Sequence, residues 1–429
     1  MIEDDFYRAS SQFRLWSFTE ASLASLRAKT NANASERVRT AIRRARETRT
    51  SATPSAAGTP SEDPLPTQQQ PEIECLTAEE ELLLVRYYCE QLIQLAEAHQ
   101  PPLPTTVRAT AIQYLRRFYL TNSPMTYHPK NIMLCALFLA TKTDNCYVAL
   151  RDFAATIPGD ATAEDIIAPE FLVMQSLRWA FDVRHPFRGL EAGTMELSAT
   201  AEGLAQPAPH LPHHTADSLR QRLFALPPAG GGALPPSSKD AKARVDERIA
   251  RAHHAARETL KSAAQMTDAY FLYTPAQIWL AALLLVDRPL AEFYLETKIG
   301  GGPDEPIPPP FVELRAKLLV TLENCVRLLQ SYASTDFASD PEQKKNIRRI
   351  GKKLYHCQNP DKANLAGQKR IPAAAAAAAT TGSGGEAGTP ESEMERLAKK
   401  RKLEREQEGK DLFGGDLVTQ RTKEKQADR

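Results

Sequence analysis

Tyr127-His128-Pro129-Lys130-Asn131-Ile132 and Tyr273-Thr274-Pro275-Ala276-Gln277-Ile278 share the pattern Tyr-x-Pro-x-x-Ile. Each opens nine unbroken apolar residues, Ile132 to Ala140 and Ile278 to Val286. Proline suits the first position of a helix, where its missing N–H would be unpaired anyway. A helix that is apolar all round must be enclosed by other helices. The pattern therefore predicts two similar bundles, with central helices over 129–142 and 275–286.

The segments around the first run read as helices too. Thr77 and Glu80 form a capping box, followed by apolar positions Leu82, Val85, Cys89, Leu92 and Ala96 at steps of three and four. A second helix starts after Pro104, with Val107, Ala111, Tyr114 and Phe118. After the central helix come a short helix over about 150–156 and a last one ending near Leu177, which Pro169 kinks or restarts. The second bundle begins near Pro186. Residues 205–240, rich in Pro, His, Gly and Ser, read as a disordered insertion. A polar helix over about 241–269, the central helix and a shorter helix over 289–297 follow. Beyond the Gly/Pro loop 300–310, a long helix carries Val312, Leu318, Leu319, Leu322, Val326 and Leu329 on its apolar side. Residues 341–357 suit a basic amphipathic helix. No alternating strand pattern is present, so the fold class is all-α.

The N-terminal 1–50 holds an aromatic cluster and then a basic helix. Thr19 is a good N-cap, with Phe18 and Leu23 placed as a hydrophobic staple. Residues 51–72 are a flexible linker by composition. From about 358 the chain is polyalanine, Gly/Ser and mixed charge. The predicted organisation is an N-terminal helix segment 1–50, linker 51–72, first bundle 73–183, second bundle 184–333 with the insertion 205–240, C-terminal helix 334–357 and tail 358–429.

Bulk numbers exclude several classes. The 429 residues carry a net charge of +1, so no global field draws the chain to nucleic acid or membrane. Its six cysteines make no C-x-x-C pair, and Cys89 and Cys135 sit on apolar helix faces, which suits a reduced compartment, cytosol or nucleus. The start MIEDDF lacks the features of a secretory signal. Neither apolar run approaches the roughly 20 residues of a bilayer span. There is no P-loop, no H-E-x-x-H and no kinase catalytic-loop signature.

The residues also carry a family resemblance. NSPMTYHPKNIMLCALFLATKTDN (122–145) is similar to the second and third helices of the first cyclin box in H-type cyclins, and MTDAYFLYTPAQIWLAALL (266–284) to the matching part of the second box. SSQFRLWSFTEASLASLRAKTN (10–31) resembles their N-terminal segment. The resemblance implies two tandem five-helix cyclin boxes with flanking N- and C-terminal helices. It implies a non-catalytic regulatory subunit, without cofactor or metal, that binds and activates a cyclin-dependent kinase of the CDK-activating and TFIIH type. It further implies a RING-finger assembly factor and the TFIIH core as partners, phosphorylation of the RNA polymerase II C-terminal repeats as output, and the nucleus as location. No membrane and no direct nucleic-acid contact are expected.

In the family, a Lys at the end of the third helix pairs with a Glu in the fifth and grips the kinase. The matching residues are Lys142 in LATKTD and Glu170 in PEFLVMQSL, where Pro169 directly before the Glu departs from the family pattern. An ammonium offers three donors, enough for the carboxylate and for kinase carbonyls together. Leu139, Met174, Trp179 and Phe181 match the apolar positions offered to the regulatory helix of the kinase; the alternative is that they are core residues. Trp16, Phe18 and Leu23 either staple the N-terminal helix to the second box or touch the kinase.

Other signals have two readings each. Lys399, Lys400, Arg401 and Lys402 form a candidate nuclear import signal, but 391–429 holds 11 Lys/Arg against 10 Asp/Glu, as a solvated mixed-charge helix would. Arginines 37, 39, 43, 44, 46 and 49 suit a solvated helix face better than a contact with acidic protein or nucleic acid. His210, His213 and His214 have only loose ligand spacing. Thr53-Pro54, Thr59-Pro60 and Thr389-Pro390 are candidate sites for proline-directed kinases. The first helix, LLLVRYYCEQL, lacks the Met-Arg-Ala-Ile-Leu substrate-docking patch of cell-cycle cyclins. A cyclin C-like Mediator subunit is the near alternative. A IIB-type transcription factor would need a zinc ribbon and strongly basic repeats.

Overall fold

The computed structural model describes residues 2–52, 74–157, 162–228, 241–302, 309–332 and 340–359. Among the described residues all regular structure is helical, and no helix is long and apolar enough to cross a membrane.

Three helices open the chain: α1 (Ile2–Ala9), α2 (Ser11–Trp16) and α3 (Glu20–Ala52). Ser10 caps α2 by accepting from the Phe13 N–H, and Thr19 caps α3 by accepting from the Ser22 N–H at 3.2 Å. Along α3, Ala34, Val38 and Ile42 are buried at steps of four, while Arg37, Arg39, Arg43 and Arg44 are exposed. The side chains of Arg46 and Arg49 lie outside the described residues. Thr30 donates to the Leu120 carbonyl and Asn31 to that of Leu76, both at 2.8 Å. These bonds lay α3 along the first bundle.

That bundle comprises α4 (Ala78–Ala98), α5 (Thr105–Thr121), α6 (Pro129–Thr143), α7 (Leu150–Thr156), α8 (Ala163–Ile167) and α9 (Glu170–Ser176). The Thr77/Glu80 capping box forms. Every residue of the run Ile132–Ala140 is buried, as a central helix requires. Pro169 gives a fresh start, acting as the N-cap of α9. One position differs from expectation: Leu82 is exposed, and Leu84 takes the inward place. The helix has two buried edges, because Val85, Cys89 and Leu92 face the central helix while Leu84 packs with Ala34, Val38 and Ile350.

The second bundle runs α10 (Phe187–Glu202), α11 (Ala216–Phe224), α12 (Ala241–Lys261), α13 (Ala263–Met266), α14 (Ala269–Leu272), α15 (Pro275–Val286), α16 (Arg288–Ile299) and α17 (Pro309–Gln330). Helix α11 corrects the expected insertion over 205–240. A Thr215/Ser218 capping box starts it, and Leu219 and Leu223, four apart, are buried in the bundle core. Residues 229–240 lie outside the described residues. The expected helix over 241–269 also breaks, after Lys261. On α15, Ile278 to Leu284 are buried. A Cβ at Gly189 or Gly193 would lie 2.4 or 2.7 Å from the Trp279 indole, so glycine at both positions lets that ring lie against α10. Leu322, Val326 and Leu329 of α17 point inward, but Val312, expected beside them, is exposed. Helix α18 (Pro341–Gln358) returns to the first bundle. Its Ile350, Leu354 and Cys357 join the cluster around Leu76 and Leu84, and Lys353 pairs with Glu74 and Glu80.

Polar groups tie the two bundles together. Asp268 accepts both ends of the Arg27 guanidinium at 2.7 Å and Arg116 Nη2 at 2.7 Å. Arg116 also donates to the carbonyls of Gln265 (2.7 Å) and Thr267, peptide groups left over at the C-terminal end of α13. A second chain of bonds runs from Asp144 through Thr110 (2.7 Å), His185 (2.9 Å), Tyr270 (3.0 Å) and Gln265 (2.6 Å) to Gln113 (2.9 Å). All of these are satisfied at once if neutral His185 carries its proton on Nε2 and accepts from the Tyr270 hydroxyl at Nδ1. Burial, with the charge of Arg117 adding to it, pushes His185 down to about 3. The folded chain thus keeps the ring neutral, while the unfolded chain protonates it below about pH 6.5. This contribution to stability is complete above that pH and is lost as pH falls towards 3. Urea unfolding should show a loss of about 2 kcal/mol between pH 7 and 5 from this residue. A His185→Gln variant should lose that share of the slope; equal slopes in the two proteins would count against the network.

Candidate protein-binding interface

The last turn of α6 carries Lys142 and the first residue of α9 is Glu170. A cation suits a helix C-terminus and an anion an N-terminus, so each side chain is favoured where it stands. The two meet: Lys142 Nζ donates to Glu170 Oε1. The ammonium also lies 4.9 Å from the Phe138 ring centroid, a cation–π distance. Glu170 is mostly covered (14% exposed) and Lys142 is more open (37%). The pair is therefore held from one side and accessible from the other.

Next to it α9 ends in an uncommon way. Arg178 and Trp179 have φ of 54° and 57°, the left-handed region that non-glycine residues rarely adopt. Their N–H groups donate to the carbonyls of Gln175 (2.9 Å) and Met174 (3.1 Å), closing the helix. The turn throws Trp179 outward, leaving it 54% exposed. Its ring meets Phe171 edge-on at 5.7 Å and Phe181 at 6.4 Å. Phe171 is 60% exposed. Phe181 is half-buried against Tyr114 at 6.3 Å, whose hydroxyl donates to the Phe181 carbonyl at 2.7 Å. Met174 is half-buried nearby in the chain, and Ile167 of α8 is exposed. A row of large aromatic side chains left in water beside an ion pair is the kind of surface that protein interfaces use.

Two expectations narrow here. Leu139 is only 3% exposed and belongs to the core of the first bundle, the core reading of the two open for that position. Trp16 and Leu23 are buried, with Leu120 of the first bundle and Phe271 of the second. Phe18 is half-buried; its ring packs edge-on at 6.1 Å against Phe271, and its N–H donates to the Phe271 carbonyl at 2.8 Å. The N-terminal segment is thus stapled at the junction of both bundles, not to the second alone. Phe171 and Arg178 are additions. A bulky aromatic two residues ahead of the buried Val173, off the Val173/Leu177 stripe, was the signal for Phe171; nothing in the sequence marks the Arg178 turn.

His210 Nε2 donates to the Lys298 carbonyl (2.8 Å) and His214 meets Arg222 (3.2 Å), so both rings have protein partners. Lys399, Lys400, Arg401 and Lys402, and the threonines of the three Thr-Pro pairs, lie outside the described residues.

Comparison with known proteins defines the class. The family model for the cyclin N-terminal domain matches residues 61–182, and that for the cyclin C-terminal domain matches 185–330. Cyclin mcs2 of Schizosaccharomyces pombe is 30% identical over 83% of this chain and 86% of its own length. Cyclin CCL1 of Saccharomyces cerevisiae is 30% identical over 71% of this chain, which spans 65% of that relative. A chain in the structure of the CAK complex of Chaetomium thermophilum bound to ATP-γ-S superimposes with a TM-score of 0.60, at 33% identity, covering 90% of this chain and 100% of that one. The chain belongs to the cyclin family.

Proposed function

We propose that this chain is the regulatory, non-catalytic subunit of a cyclin-dependent kinase of the CDK-activating and TFIIH type. The observation that carries the reading is the Lys142–Glu170 pair at the edge of the exposed Phe171, Trp179 and Phe181 row. The likeness to a chain of the Chaetomium thermophilum CAK complex supports it.

The mechanism follows from what a kinase needs. Its active site requires an ion pair between the strand-three Lys and a Glu on the regulatory helix. The aromatic row covers that helix, and Lys142, steadied by Glu170, donates to exposed kinase carbonyls. Both contacts are available only when the helix sits inward, so binding shifts the kinase towards its active state. Moving such an equilibrium from 1:99 to 99:1 takes about 5.5 kcal/mol of differential binding, within reach of a few aromatic anchors and a desolvated charge. The catalytic groups belong to the kinase. In this reading the chain works in the nucleus with a RING-finger assembly factor and the TFIIH core, in phosphorylation of RNA polymerase II C-terminal repeats. Reconstitution of the purified chain with its kinase tests this: the rate of repeat phosphorylation should rise steeply with added chain and saturate.

A further inference from the structure

The geometry points to Trp16 and Arg178 as positioning residues: α2 holds the left-handed turn that presents Trp179 to the kinase. This rests on the proposed face, and it says what keeps that face in shape.

Two consecutive non-glycine residues with positive φ, Arg178 and Trp179, make a conformation that persists only when the surroundings over-determine it. The backbone bonds of the turn are those of an ordinary helix end. The added restraint comes from the N-terminal segment. The Arg178 guanidinium lies 5.7 Å from the Trp16 ring centroid, and Arg117 lies 5.1 Å from the same ring. Trp16 is itself 1% exposed, so it is a fixed platform. At the other end of the same stretch, Gln12 Oε1 accepts from the Arg184 N–H at 2.7 Å and from Arg117 at 3.3 Å. Gln12 Nε2 returns a bond to the Arg184 carbonyl at 3.4 Å. Helix α2 therefore grips residues 178–184 at both ends, and Trp179 and Phe181 lie between the grips. The N-terminal segment acts on the kinase without touching it.

The test compares Arg178→Ala, Arg178→Lys, Trp16→Leu and Trp179→Ala in the full chain, with kinase affinity by titration and thermal melting read separately. Arg178→Ala should keep its melting temperature and lose affinity roughly tenfold, since one cation–π restraint on a strained turn is removed. Arg178→Lys, which keeps a cation over the ring, should recover most of that. Trp16→Leu, at a residue with no surface to offer, should lose affinity as well. In a Trp179→Ala background, Arg178→Ala should add nothing further, because the residue being positioned is gone. Wild-type affinity for Arg178→Ala while Trp179→Ala binds weakly would overturn the positioning role, as would losses that add fully in the double variant. Wild-type affinity for Trp179→Ala would remove the face itself.

Discussion

Lys142→Ala should weaken kinase binding by about 2–5 kcal/mol, the loss seen when one member of a buried, hydrogen-bonded charge pair is truncated at an interface. That corresponds to roughly thirtyfold to several-thousandfold in Kd. In the free chain the Lys142 ammonium is open on one side, so its pairing with Glu170 contributes at most about 1 kcal/mol to stability. Once a kinase covers the Phe171, Trp179 and Phe181 row, the same charges lose their water. The ammonium's remaining protons then need kinase carbonyls, and Glu170 needs the ammonium. Truncation leaves the carboxylate desolvated and alone. The variant should therefore fold and melt like the parent while binding poorly. Lys142→Arg should not rescue it fully, because a planar fork does not replace a compact three-donor cation. Titration of each variant against the kinase, with a melting curve alongside, reads both quantities; unchanged affinity would take Lys142 out of the interface.

Asp268→Asn should have the largest effect on stability, a loss of about 2–3 kcal/mol in urea unfolding, because two largely covered guanidiniums lose a charged acceptor that itself stays 28% exposed. Asp268 is the point where the N-terminal helix, the first bundle and the second bundle meet. Arg27 and Arg116 are both largely covered there. Burial acts to raise the Asp268 carboxyl, but the hydrogen bonds and charges of Arg27 and Arg116 outweigh it and hold the group below the usual carboxylate range. The amide keeps the shape and loses the charge, so two guanidiniums face each other across it. Release of α3 should follow, visible as faster proteolysis within residues 20–52. A loss of less than about 1 kcal/mol would mean that apolar packing alone joins the three parts.

The two central helices were legible because their cause is local. A proline at the first turn and an unbroken apolar run specify a buried helix without reference to anything else, and α6 and α15 start at Pro129 and Pro275 as read. What failed was non-local or masked by composition. Leu82 and Leu84 are both plausible inward residues until α18 arrives to cover the second edge of α4. The Pro- and His-rich context around Thr215 hid a capped helix whose two buried leucines are its only apolar stripe. The Arg27–Asp268–Arg116 junction joins residues 241 and 152 positions apart, which no periodicity can reveal. At the proposed interface, Lys142 and Glu170 were identifiable only through the family motif, since an isolated Lys and Glu would pass as solvated surface. Leu139 fitted the same motif and lies inside. The Arg178–Trp179 turn was out of reach because its residue types give no sign of positive φ; the glycine that usually signals it is absent.

The most direct test of the central claim is the rate at which a purified kinase phosphorylates RNA polymerase II repeat peptides as the chain is added. The account predicts a saturable rise of orders of magnitude that Lys142→Ala shifts to much higher concentration. A flat response, or a rise that Lys142→Ala leaves in place, would contradict it.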